Sequence, residues 1–231
     1  MAVKRPHGFL SAVWRWVVTA AFVVCQSVAT LGAAEPPVTV GATVGGSTQA
    51  AGDSDSPYLG PGVGGTTVGG VFFVDVGLSS AISLGGEVSL AGNISGSQDQ
   101  RVPGGSNSLL SQHRDTVFAG VLKVRTPISN RLQVSISGGL GVALRESNRT
   151  GTFRPNTPPF VLTPVTERLS DTVLATTAGF DGVVAVSNRL GLLAVVRVHY
   201  LADNDRLPDG VVHRGVSSLI LRYGFGAQVR F

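Results

Sequence analysis

The sequence predicts an all-β fold. Eight antiparallel strands run up and down and close into a barrel that spans a membrane, behind a cleavable leader. Three observations predict it. Apolar and polar residues alternate with a period of two in one segment after another. The segments number eight, and their connections alternate long and short. The face opposite the apolar one carries charges that a dry core would not tolerate unpaired.

The chain has 231 residues, enough for one all-β domain. Its 31 glycines are roughly twice the usual share, which suits strands and loops rather than helices. The formal charge of +4 and the pI near 9.8 invite a nucleic-acid reading. That reading fails on the distribution. Lys4, Arg5 and Arg15 lie in the first 34 residues, which hold no Asp or Glu, and the remainder carries 15 basic against 14 acidic residues. No dense basic run follows, and aromatics are sparse, so no nucleic-acid partner is expected. The one cysteine, Cys25, sits in the same stretch, so neither a disulfide nor a thiolate metal site is expected beyond it.

Residues 1–34 have a basic start, an apolar middle from Val17 to Val28 and a small-residue end at Gly32-Ala33-Ala34. This is the pattern of a secretory signal peptide, with cleavage expected after Ala34 and a barrel domain over 35–231. The apolar middle is short and Arg15 interrupts it, whereas a spanning helix needs about 20 apolar residues. An exported chain without such a helix can cross a bilayer only as a closed barrel, because an open sheet leaves backbone groups unpaired in lipid.

The first strand, 37–46, alternates Val38, Val40, Ala42 and Val44 with small residues, and a Gly- and Ser-rich loop follows over 47–66. The second, 67–78, sets Phe72, Val74, Val76 and Leu78 against Val71, Phe73, Asp75 and Gly77. After the turn Ser79-Ser80, the third alternates Ile82, Leu84, Gly86, Val88 and Leu90 with Ser83, Gly85, Glu87 and Ser89. Residues 92–114 read as a long polar loop. The fourth strand, 115–126, opposes Phe118, Leu122 and Val124 to Lys123 and Arg125. A short turn leads to the fifth, from Leu132 to Arg145, with Gln133, Ser135, Ser137, Gly139, Gly141 and Arg145 on its polar face.

Residues 146–169 hold Pro155, Pro158, Pro159 and Pro164 and read as a loop, since Pro supplies no ladder donor. The sixth strand, 170–186, opposes Leu174, Phe180 and Val184 to Asp181. The seventh, 190–200, opposes Leu190, Leu192, Val196, Val198 and Tyr200 to Arg197 and His199. Loop 202–216 precedes the eighth, which ends LRYGFGAQVRF with Arg222, Gly224, Gly226, Gln228 and Arg230 on its polar face. Two short turns share the string Ser-Asn-Arg-Leu, at 129–132 and 187–190.

The chain resembles the small eight-stranded bacterial outer-membrane β-barrels, of the kind represented by the OmpA membrane domain and OmpX. The eight-strand rhythm and the ending from Tyr223 to Phe231 carry the resemblance, which covers about 37–231. It implies residence in the cell outer membrane, lipid as a partner, and both termini on the periplasmic side. It also implies that the last strand, through Tyr223, Phe225 and Phe231, is read by the outer-membrane assembly machinery. The stretch beyond the signal peptide lacks Trp, a departure from a rich aromatic girdle. Phe72, Phe118, Tyr200, Tyr223 and Phe231 would serve instead. No peptidoglycan-binding activity is carried over.

In a lumen this narrow the inward charges must pair. Asp75, Glu87, Lys123, Arg125, Asp181, Arg197, His199, Arg222 and Arg230 are the expected network. A plug is the main expectation and a narrow pore for small solutes the alternative. A lipid-modifying enzyme with His199 as base is the second alternative. It would need a serine and an orienting carboxylate, and no Gly-x-Ser-x-Gly elbow is present. His113 and His213 are isolated, and Gly60–Gly65 lacks the end of a phosphate loop. No catalysis, cofactor or metal is expected. The expected role is structural or surface-interacting through the long loops, above all 146–169 with Phe153 and Phe160. No ligand can be named from the residues.

Overall fold

The computed structural model describes residues 37–49, 64–202 and 218–231. The expected leader, most of the expected first loop and all but the first residue of the loop expected over 202–216, with His213, lie outside the described residues. Among the described residues nine strands form: β1 (Val38–Gln49), β2 (Gly65–Gly77), β3 (Ile82–Ala91), β4 (Ile94–Val102), β5 (Gly105–Pro127), β6 (Leu132–Pro155), β7 (Thr163–Ala185), β8 (Leu190–Leu201) and β9 (Ser218–Arg230). Sequential neighbours pair antiparallel, and β1 pairs with β9, from Thr39↔Arg230 to Gln49↔Ile220. That pairing closes the sheet on itself. Because β3 and β4 both pair with β5, they are two parts of one stave, and the ring has eight.

The break between β3 and β4 is a bulge. Leu90 faces Thr116 and Ile94 faces His113, so Ala91, Gly92 and Asn93 span two residues of β5. One extra residue flips the side chains that follow. Ser89 is buried inside, and after the bulge Ile94, an even-numbered residue, is buried as well. This is why alternation is lost at Leu90, and why the polar loop expected over 92–114 is in fact the rest of the stave, a turn and the start of β5. Val102 and Gly105 pair across Pro103-Gly104, where Gly104 takes a φ of +84°, the left-handed conformation a type II turn asks of its third residue.

The loop expected over 146–169 is corrected in the same way. β6 continues to Pro155 and β7 begins at Thr163, leaving 156–162 as the connection. Pro155 and Pro164 fall at strand ends, where a missing donor breaks little of the ladder. β5, β6 and β7 therefore run 23, 24 and 23 residues, against 12 for β8 and 13 for β9. Pairing of β7 with β8 stops at Ala175↔Leu201, while β6 and β7 stay paired out to Phe153↔Thr163. The upper parts of β4 to β7 thus project from the ring as a four-stranded sheet.

The three short turns share one construction. Ser79, Ser129 and Ser187 each accept two backbone N–H groups on the side-chain hydroxyl, at 3.0–3.3 Å. The carbonyls of Ala81, Arg131 and Arg189 then accept from Arg125, Ala185 and Arg230 on the next stave. The repeated Ser-Asn-Arg-Leu string is thus two copies of a device present three times.

The faces separate sharply. Outside stand Ile136 (68% exposed), Leu140 (72%), Leu174 (72%) and Phe225 (74%), with Phe72, Tyr200, Tyr223 and Phe231 also outward and exposed. On β6 this apolar face runs from Leu132 to Leu144. About 12 steps of ~3.3 Å at a tilt near 45° give roughly 28 Å, the thickness of a hydrocarbon core. Above it the outward residues are Glu146, Asn148, Thr150 and Thr152. A soluble monomer rarely exposes a contiguous apolar patch beyond a few hundred Å², so a closed belt of this kind is at home in lipid. Tyr223 also covers its cross-strand neighbour Gly46, where an added Cβ would meet the phenol ring.

Candidate functional site

The lumen is densely charged. Every second residue of each stave points inward, so the strands deliver charges at positions fixed by register. Asp75 from β2, Glu87 from β3, Lys123 from β5, Asp181 from β7 and Arg197 from β8 meet in one cluster. Arg197 donates from Nε to Glu87 Oε2 at 2.7 Å and from Nη1 to Asp181 Oδ1. Lys123 Nζ lies 2.8 Å from Asp75 Oδ2, 3.4 Å from Asp181 Oδ2 and 3.7 Å from the centre of the Phe73 ring. Ser135 donates to Asp181 at 3.3 Å. Glycines make the room: a Cβ on Gly179 would press on Arg197 and Ser137, and one on Gly85 would meet Asp75.

Apolar side chains fill the remaining space. Val71, Phe73, Leu193 and Val195 pack together between β2 and β8. Nearer the long connections, Val117, Ala143, Val173, Ala175, Leu201 and Ile220 form a second plug. Side chains therefore fill the lumen at these two levels. Arg197 and His199 are 0% exposed, and Arg222 is 1%.

Of the nine residues expected in the network, five form the cluster just described. Arg125 stands at its edge, 3.6 Å from Asp75. His199 lies apart, with Nε2 at 3.1 Å from the hydroxyl of Ser89. No carboxylate meets Nδ1, which has no hydrogen-bond partner in the structure. Both residues are wholly buried inside the wall, which denies that pair any access to lipid. Arg222 belongs to a separate upper group, donating to Ser47 Oγ at 3.2 Å and to the Asp115 carbonyl at 2.9 Å. Arg230 is exposed at the mouth beside the short turns.

The upper group was missed in the sequence. Asp115 is its centre, with His113 at 2.9 Å and Arg145 at 3.6 Å. Counting back in twos from Lys123 reaches Asp115, so the signal was present. It is obscured because Asp115 follows a polar stretch that reads as a loop and so looks like the first residue of its strand. His113, expected in a loop, lies on β5. Among the described residues no group of three or more His, Cys, Asp or Glu could hold a metal ion, and no helix is long and apolar enough to cross a membrane.

A ring of eight staves, apolar outside and ionic inside, decides the fold. The chain has the fold of a small eight-stranded outer-membrane β-barrel. No family model and no curated protein matches the sequence. Among solved structures, Ail, the attachment invasion locus protein of Yersinia pestis, is 14% identical, with 86% of this chain and 100% of that one covered at a TM-score of 0.47. Neisserial surface protein A is 12% identical, with 84% and 97% covered at 0.44. The outer membrane protein OprG from Pseudomonas aeruginosa is 14% identical, with 85% and 96% covered at 0.43. Likeness at this level concerns form alone, and neither binding nor activity transfers with it.

Proposed function

We propose that this chain is an exported outer-membrane protein that works by surface contact, its barrel a plugged support and its projecting sheet the working part. In this reading residues 1–34 are removed, 35–231 form the barrel domain, and both termini face the periplasm. The last strand, with Tyr223, Phe225 and Phe231, is read by the assembly machinery. No catalysis is involved.

One observation carries the reading. At the tip of the β6–β7 hairpin, Phe160, Val161 and Leu162 are 58%, 63% and 57% exposed, far beyond the lipid belt. Three adjacent large apolar side chains held in water at the end of a stiff hairpin are costly unless something covers them. The partner is therefore an apolar or lipidic surface outside the cell. The filled lumen favours this over a pore, and the burial of Ser89 and His199 favours it over a lipid-modifying enzyme.

The test is retention of expressing cells on octyl-coated beads and on phosphatidylcholine-coated beads. Wild-type cells should be retained, and cells carrying Phe160→Ser with Leu162→Ser should lose most of that retention. The variant should keep its heat-dependent gel shift, because the tip lies outside the barrel. Equal retention of both would end the proposal. Discrete conductance steps from purified protein in a planar bilayer would restore the pore.

A further inference from the structure

We propose that the mouth beside the short turns is an oxyanion site, built by Arg125 and Arg230 and taking a phosphate group. A cavity of about 50 Å³ opens there. A single water needs roughly 10–15 Å³ on this measure, so the space suits a few waters or one oxyanion head. Arg125 and Arg230 line it, with Lys123, the carboxylates Asp75 and Asp181, and Gln133 and Gln228.

The charge count makes the site. The lower cluster and its mouth hold four cations, Lys123, Arg125, Arg197 and Arg230. They hold three carboxylates, Asp75, Glu87 and Asp181. Each carboxylate already has a cation, although Asp75 Oδ1 and Glu87 Oε1 keep no hydrogen-bond partner: Arg197 takes Glu87 and Asp181, and Lys123 takes Asp75 and Asp181. Arg125 is left with one distant contact at 3.6 Å, and Arg230 makes no ion pair among the described residues. The surplus positive charge therefore sits at the mouth, on two arginines that line one cavity. Like charges across a small cavity repel, and an anion between them reverses the sign of that energy. Guanidinium forks match the oxygens of phosphate in pairs, and the two amides can donate to the remaining ones. The site stands independently of the surface-contact proposal.

Inorganic phosphate is the probe. It is titrated calorimetrically into the full chain, folded in zwitterionic micelles, in chloride buffer at constant ionic strength. Binding at one site is expected. Arg230→Gln should weaken it by about tenfold or more, the loss of one charge-assisted contact. Arg131→Gln, on an exposed turn at the same end but outside the cavity, should leave it unchanged. Arg230 is exposed, so its replacement spares the barrel, and the heat-dependent gel shift verifies folding. Dihexanoyl phosphatidic acid is titrated in parallel to separate the sources. If it competes with phosphate and binds more tightly, the group belongs to a lipid headgroup. If it binds no better, free phosphate is the ligand. Absence of binding by either probe, or equal loss in Arg131→Gln and Arg230→Gln, overturns the site.

Discussion

Two ion pairs in this molecule have the same chemistry and opposite surroundings. Arg197 meets Glu87 and Asp181 inside the ring, where the three side chains are 0%, 1% and 4% exposed. Arg114 meets Glu146 on the outer face of the projecting sheet, at 48% and 54% exposed. The strands are continuous between the two places. β5, for example, carries Lys123 into the inner cluster and Arg114 into the outer pair. Water is what differs. Inside, each charge has lost its hydration and depends on its partner. Outside, each keeps most of its hydration and gains little from the other. The barrel should therefore be sensitive to its lumen and indifferent to its extension.

Removing the inner cation should have the largest effect. Arg197→Met leaves Glu87 without a cation and Asp181 with only Lys123, and should cost about 3–5 kcal/mol. Urea unfolding followed by gel shift would show it, and adding Glu87→Gln should recover part of the loss. Full stability in Arg197→Met would show that the lumen is wetter than its burial implies. Next comes Gly179→Ala, which keeps every charge but drives a methyl group toward Arg197 and Ser137. Overpacking of this kind should cost about 1–3 kcal/mol in the same assay. The turns are weaker still. Ser129→Ala removes an acceptor shared by two N–H groups at an exposed site and should cost about 1 kcal/mol. Arg114→Ala should come last, at about 0.5 kcal/mol or less, and high salt should erase even that. A loss for Arg114→Ala that rivals Arg197→Met would dissolve the contrast.

Which elements could be read from residues alone follows from how local their signals are. In β3 and β9 alternation runs unbroken, and the outward and inward assignments match the structure, from Leu84 and Glu87 to Phe225 and Arg222. The upper staves could not be read. Above Thr116 outward residues such as Ser95, Ser108, Asn148 and Thr150 are polar and exposed, so the outer face loses its apolar signal and polarity mimics a loop. The bulge at Gly92-Asn93 added a slip of one residue that alternation cannot see past. The inner apolar clusters were hidden for a related reason. Leu193 and Val195 sit between other apolar residues of β8, and a run such as Leu190 to Val196 does not say which members face in.

The sequence by itself determined the count of eight staves, the three short turns, and which side of most strands meets lipid. Each of these follows from a period of two and from turn residues close by in the chain. Only the tertiary structure decided who partners whom. It brought Glu87 to Arg197 across 110 positions and Ser47 to Arg222 across 175, and it left Arg125 and Arg230 facing one cavity. Those meetings depend on the register with which β1 closes onto β9 and on the tilt of the staves. Neither is written in any single strand, because register is a relation between strands.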